Sequence, residues 1–182
     1  MSFLVLKELK KRLEEGFCHA LLEKKDNLRE APRLYIGQLP PKEGSKPPSE
    51  AVDKKDNDYP FILIRSISGD LSNDATGQPV YNFNVALIIG IYSQESYESY
   101  QDGVQIVSDT LDKSLLIINQ YEYWGNSHFA LDHDMSWGYG LGKTIDPYAC
   151  GLQTDAPYFL VVLNLSFSQF LKLPKVEIQY LV

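Results

Sequence analysis

The 182-residue sequence predicts an α+β fold in which a twisted, mainly antiparallel sheet carries two amphipathic helices. Tyr81, Phe83, Val85, Leu87, Ile89 and Ile91 occupy every second position, and that period places them all on one face of a long strand. Phe159, Val161, Leu163, Leu165 and Phe167 repeat the pattern late in the chain. Two other runs change period: Leu6, Leu9, Leu13, Phe17 and Ala20 or Leu21, and then Tyr97, Tyr100, Val104, Val107, Leu111, Leu115 and Ile118, recur at helical spacing.

Taken in order, the first helix is expected over residues 3–25, with Lys7, Lys10, Lys11, Arg12, Glu14 and Glu15 on its wet side and Gly16 weakening it slightly. A short strand follows at 32–37. Residues 39–58 hold Pro40, Pro41, Pro47, Pro48 and Gly44 among serines and mixed charge, with no apolar period to offset the entropy of ordering; a mobile loop is expected there. Residues 59–67 read as a strand. Gly69, Asp70, Ser72, Asn73, Asp74 and Gly77 then supply turn chemistry, so strands 59–67 and 81–91 should form an antiparallel hairpin with an extended loop. The second helix should run from just after Ser93 to about residue 119. Within 120–157, rich in aromatic, glycine and acidic residues, short strands are expected around 129–135 with irregular connections. The last long strand is expected over 158–171; its second face, with Asn164, Ser166 and Ser168, can tolerate water or a neighbour. A tail at 176–182 has the pattern of an edge strand. No internal repeat is present.

The length suits one domain over 1–182, which buries roughly 70% of its unfolded surface without help from disulfides or metals. A net charge of −7 argues against wrapping nucleic acid through phosphate contacts. The densest lysines, Lys42, Lys46, Lys54 and Lys55, lie among Glu43, Glu50, Asp53, Asp56 and Asp58, so their fields largely cancel. The N-terminal run meets Lys7 and Glu8 too early for a signal peptide's apolar core, and no stretch is long and apolar enough to span a membrane; the reading therefore places the chain in a cytoplasm. Cys18 and Cys150 resemble neither a disulfide framework nor a zinc site.

The motifs that could carry chemistry each fall short of it. Gly142-Lys143-Thr144 ends like a phosphate-binding loop, but that loop needs a glycine where Trp137 stands, and Ile145-Asp146-Pro147 discourages the helix that must follow. In a strand, Asp132 and Asp134 share one face while His133 points to the other, so the three cannot converge on one ion without a bulge. His128 has no carboxylate or cysteine neighbour, while His19 stands next to Cys18. No Gly-x-Ser-x-Gly elbow occurs, and neither cysteine has a local cue for a paired base. Trp124 and Trp137, with Tyr121, Tyr123 and Tyr139, could stack bases, yet their neighbours Glu122, Asp132, Asp134 and Asp146 are acidic where a single-strand binder is cationic. Tyrosine, at 12 residues, instead suits half-buried sheet faces and subunit interfaces. No catalytic, cofactor-binding or metal-binding residue is expected.

One ordered set of segments matches a known family. Tyr59-Pro60-Phe61-Ile62-Leu63-Ile64-Arg65 precedes a Gly/Asp/Asn turn, then Val85-Ala86-Leu87-Ile88-Ile89-Gly90-Ile91-Tyr92-Ser93, then Tyr100-Gln101-Asp102 opening a helix that ends at Leu115-Leu116. This order resembles the tail-completion, or tail-terminator, proteins of phages and prophages of Gram-positive bacteria. It covers the middle third of the chain, with the first helix and last strand agreeing in placement. The resemblance implies a tail-terminator-like α+β subunit of the virion tail, assembled in the bacterial host cytoplasm. Its copies close into a homo-oligomeric ring, commonly a hexamer, that stops tube polymerisation. The partners it implies are the tail tube protein and the head-tail connector protein, with neither a membrane nor sequence-specific nucleic acid. It carries over no catalytic residue. Loops and exposed sheet edges make the family's contacts, which points to loop 39–58 with Lys42, Lys46, Lys54 and Lys55, and to segment 121–139 with Tyr123, Trp124, Trp137 and Tyr139. The length of the first loop and the region after residue 120 depart from the family pattern. A head-tail connector or neck component is the nearest alternative, and a small non-catalytic protein-binding module the next.

Overall fold

The computed structural model describes residues 2–22, 31–39, 60–92, 100–126, 128–132, 134–139 and 158–170. Their order is α1 (Ser2–Leu22), β1 (Arg33–Ile36), β2 (Phe61–Asn73), β3 (Pro79–Tyr92), α2 (Tyr100–Asn119), β4 (Tyr123–Trp124), β5 (Phe129–Leu131), β6 (Ser136–Tyr139) and β7 (Tyr158–Phe170). The strands form one seven-stranded sheet in the order β1-β2-β3-β7-β5-β4, with β6 also paired to β7. Every pairing is antiparallel except β1 with β2, which is parallel. The α+β class and the mainly antiparallel sheet are therefore as the sequence predicts.

Strand β3 organises the sheet. Its odd-numbered residues Phe83, Val85, Leu87, Ile89 and Ile91 are buried in the main core with Ile62 and Ile64 of β2 and Phe159, Val161, Leu163, Leu165 and Phe167 of β7. Cross-strand registers such as Ile64↔Leu87↔Leu163 keep these side chains level on one face. The opposite face is split in two. Phe61, Leu63, Ala86, Ile88, Leu160 and Val162 form a second buried cluster, with Tyr35 and Leu39 packed against it. Beyond it the face turns polar at Asn82, Asn84, Asn164, Ser166 and Ser168, so the wettable surface expected for the last strand occupies only part of its length.

Both helices lie on the main-core face. α1 buries Leu6, Leu9, Leu13 and Phe17 of the stripe read from the sequence, together with Val5. The segment 23–25, expected to extend this helix, lies outside the described residues. α2 covers β3 and β7 with Val107, Leu111, Ile117 and Ile118, and each such buried side chain contributes about 1.5–3 kcal/mol. Its buried hydroxyls are satisfied within the helix: Thr110 Oγ1 donates to the Ile106 carbonyl at 2.7 Å and Ser114 Oγ to the Thr110 carbonyl at 2.8 Å. Gly16 does more than weaken α1, because a Cβ there would stand 2.5 Å from Ile117 Cδ1; its bareness sets how closely the helices approach.

Helix α1 touches β1, β2 and also β4, elements from both sides of the sheet, so the sheet curls around it. Glu8 fastens that curl. Its Oε1 accepts from Arg12, and its Oε2 accepts the backbone N–H groups of Gly125 and Asn126 in the β4–β5 turn. The turn needs positive φ at both residues, 61° at Gly125 and 60° at Asn126, which glycine and asparagine tolerate best. Arg12 lies over the rings of Tyr121 and Trp124, its guanidinium carbon 3.6 and 4.3 Å from their centroids.

Two expectations for the connections are corrected. The hairpin between β2 and β3 has no extended loop: Gly69, Asp70, Ser72 and Asn73 belong to β2, which pairs with β3 out to Asn73↔Pro79. The long partner strand supplies ladder bonds that outweigh the turn preferences of these residues. Region 120–139 contains more strand than expected, since β4 and β6 flank β5; each is too short to show a period. The expected tail strand at 176–182 lies outside the described residues.

Glycine spacing gives a direct check on the packing. A Cβ at Gly90 would lie 2.4 Å from the Phe61 ring, directly across the β2–β3 ladder, and one at Gly103 of α2 would lie 2.2 Å from the Phe159 ring. Gly90→Ala and Gly103→Ala are expected to lower the unfolding free energy by about 1–3 kcal/mol each in denaturant titrations. Gly138→Ala, with nothing within 4 Å of the added atom, should change it by less than about 0.5 kcal/mol. Equal midpoints for all three would contradict the packing.

Candidate interaction surface

Among the described residues, β3 pairs with one side of β2 along its length and β1 covers only part of the other. β1 pairs with β2 only from Arg33↔Phe61 to Ile36↔Ile64, and one further bond, from Gly37 N to the Ile64 carbonyl at 2.9 Å, ends the ladder. Gly37, at φ 86°, then turns the chain. Past Arg65 no strand among the described residues pairs with the outer side of β2. Residues 66–73 therefore form a long edge strand, and every one of them is exposed.

Ile67 and Leu71 are the large apolar groups on this edge, 55% and 67% exposed. The ladder skips Ile67 as a bulge between Ser66↔Val85 and Ser68↔Asn84. After the bulge, Gly69 and Leu71 pair with Phe83 and Tyr81 and so share the helix-bearing face. Ser68, Asp70 and Ser72 share the opposite face. There they join a polar ladder that crosses the sheet: Asn84 Nδ2 donates to Ser68 Oγ at 2.9 Å, Ser166 Oγ donates to Asn84 Oδ1 at 2.8 Å, and Asn82 Nδ2 donates to Ser72 Oγ at 2.9 Å and Asp70 Oδ2 at 3.2 Å. Asn164 Nδ2 reaches Ser136 Oγ of β6 at 3.4 Å.

The tip of the edge is held by one carboxylate. Asp74 Oδ1 accepts from Thr76 N at 2.8 Å, Thr76 Oγ1 at 2.7 Å and Gln78 N at 2.8 Å, while Gly77 adopts φ 81° to complete the turn.

The sequence-selected contact residues do not form one patch. Trp124 belongs to the core, and its placement in a contact surface is corrected. It is fully buried, its Nε1 donates to the Tyr121 carbonyl at 3.1 Å, and it packs edge-on to Phe167. Tyr123, one residue earlier in a strand, faces the other way and is half exposed. Trp137 is half exposed on β6, opposite Leu163 and hence on the helix-bearing face. Tyr123 aligns through Ala130 with Ser168, so these two aromatics occupy opposite faces at different levels of the sheet. Tyr139 pairs its backbone with Val161 in β6. Lys42, Lys46, Lys54 and Lys55, with loop 40–58, lie outside the described residues, as do Lys143, Thr144 and Cys150; Cys18 is exposed on α1.

Among the described residues no group of three His, Cys, Asp or Glu side chains could hold a metal, and no helix is long and apolar enough to cross a membrane. Asp132 Oδ1 instead accepts the Asp134 N–H at 3.1 Å, a local turn, while Asp132 N donates to the Ser166 carbonyl. Compared with known proteins, the chain matches no family model and no curated protein. The surface must carry the functional reading.

The Asp74 turn sets a pH dependence. Donation from the Thr76 hydroxyl, followed by the Gln78 amide, holds the Asp74 carboxyl below its ordinary value of 3.8. A lowered folded value means that the tip is stabilised above the ordinary value and loses that contribution as pH falls through the lowered one. In an NMR titration the Asp74 carboxyl, with the Thr76 and Gln78 amides, should shift at a midpoint below that of an exposed aspartate. A midpoint at or above the ordinary value contradicts the turn geometry.

Proposed function

We propose that this protein is a structural subunit of a phage tail, forming a ring at the head-proximal end of the tail tube that stops tube growth and joins tail to head. The observation that carries the reading is the exposed edge of β2 at residues 66–73, bearing Ile67 and Leu71. A row of backbone donors and acceptors left unpaired among the described residues is a template for another chain. The order of strands and helix that resembles the tail-completion proteins supplies the kind of assembly. The net charge of −7 also suits a conduit through which DNA passes without adsorbing. Ring closure requires two different patches on each subunit, and the β2 edge and the exposed Trp137 on β6 lie toward opposite edges of the sheet.

Mixing the protein with tail tubes and imaging by negative stain is the test. Rings should cap one end of each tube and halt further growth. Replacing Ile67 and Leu71 together by Lys should reduce the capped fraction at least about tenfold, since buried charge opposes edge pairing. Tubes that stay uncapped and keep growing with the unaltered chain contradict the reading.

A further inference from the structure

We propose that residues 66–73 of β2 pair antiparallel with β6 of a second copy of this chain, with the second copy's Trp137 lying against Gly69 and Leu71. The inference deepens the proposed assembly role, and it rests on that reading only in taking the partner to be another copy.

Strand direction is the first argument. β2, β3, β7 and β6 alternate in direction, each antiparallel to the last. Placing β6 of another copy beside β2 continues the alternation without reversal. Among the described strands β6 pairs only with β7, and its outer edge is the one this pairing would use.

Face is the second. Trp137 pairs with Leu163, and Leu71 pairs with Tyr81; Leu163 and Tyr81 both belong to the helix-bearing face. In a continuous sheet the two exposed side chains, 53% and 67% accessible, would meet on the same side. Gly69 carries no side chain of its own beside Leu71, a Cβ there standing 3.2 Å from the Tyr81 hydroxyl, and an incoming ring would lie over this glycine alongside Tyr81.

Level is the third. Trp137 stands in its own copy at the level of Ile64, through Leu163 and Leu87. That level on the outer side of β2 is taken by β1, which pairs Ile36 with Ile64. The incoming β6 must shift along the strand to the level of Gly69 or Leu71, which is four to six positions on β3, from Leu87 to Phe83 or Tyr81. At about 3.3 Å per residue the stagger is about 13–20 Å, against a width of about 19 Å for a repeat of four strands spaced about 4.8 Å apart. The ratio corresponds to strands tilted about 35–45° from the axis of a closed sheet, the tilt at which staggered sheets close into barrels. The join is heterologous, so each added copy presents the same free edge again.

The experiment uses the full chain with Cys18 and Cys150 replaced by serine. Trp137→Cys protein is mixed with Leu71→Cys or Gly69→Cys protein under mild oxidation, and products are separated by size and mapped by mass spectrometry. The mixed disulfide should exceed either homodimer by at least about tenfold, because only paired strands bring Cα atoms within the 4.4–6.8 Å that a disulfide spans. A chain carrying both Leu71→Cys and Trp137→Cys should give a ladder of multimers. Adding Ile67→Lys, at an exposed position, should abolish the mixed product while leaving the denaturation midpoint of the subunit unchanged.

Dominant Leu71→Cys homodimer would show two β2 edges meeting about a twofold axis and would overturn the proposal. So would the absence of mixed product at every concentration reached, with or without tube ends present. Mixed disulfide in a protein that never caps tubes would uphold the edge pairing while removing the tail assignment; capping without mixed disulfide would do the reverse.

Discussion

The structure depends on burying β3 on both faces while pairing it on both edges. A strand in that position can expose none of its backbone groups, so β2 and β7 must accompany it along its length. Its apolar residues then divide between two cores. Phe83, Val85, Leu87, Ile89 and Ile91 face the helices, and Ala86 and Ile88 face the smaller cluster around Phe61 and Leu160. Gly90 and Gly103 are consequences of the same constraint, since the rings of Phe61 and Phe159 occupy the space a side chain would need.

The demand for full-length partners creates the open edge. β7 is covered on its far side by β5 and β6, whereas β2 is covered by β1 only as far as Ile64. The remainder of β2 stays exposed and carries a bulge at Ile67, a glycine at position 69 and a charge at Asp70, features common on isolated edges. None of them occludes Leu71. The polar ladder from Ser68 through Asn84 to Ser166 gives the opposite face fixed hydrogen bonds without apolar surface, so the apolar groups of the edge are directed to one side.

Much of this was legible in the sequence, and what was missed has identifiable physical causes. The period-two runs of β3 and β7 and the helical stripes of α1 and α2 survive because each is long enough for its burial to dominate. The continuation of β2 was hidden behind Gly69, Asp70, Ser72 and Asn73, residues that favour turns when isolated and accept a strand when a long partner is present. A usable signal was the length of the β3 pattern itself, which calls for an equally long neighbour ending at a tight turn such as Asp74-Ala75-Thr76-Gly77. Among the contact residues, Trp137 and Tyr123 are exposed. Trp124 is not, because a two-residue strand carries no period from which its face could be read. The opposite placement of Tyr123 and Trp137 follows from pairing with β5 and β7, which lies beyond local pattern.

Among the described residues, 66–73 form an edge that no other strand covers. Amide hydrogen exchange resolved by residue measures this directly, because alternate N–H groups of an antiparallel edge strand point away from its only partner. The prediction is an alternating pattern across 66–73, fast then slow, beside uniform protection through 83–91 of β3. Uniform protection of 66–73 in the monomer would show that the edge is already covered and would contradict the account.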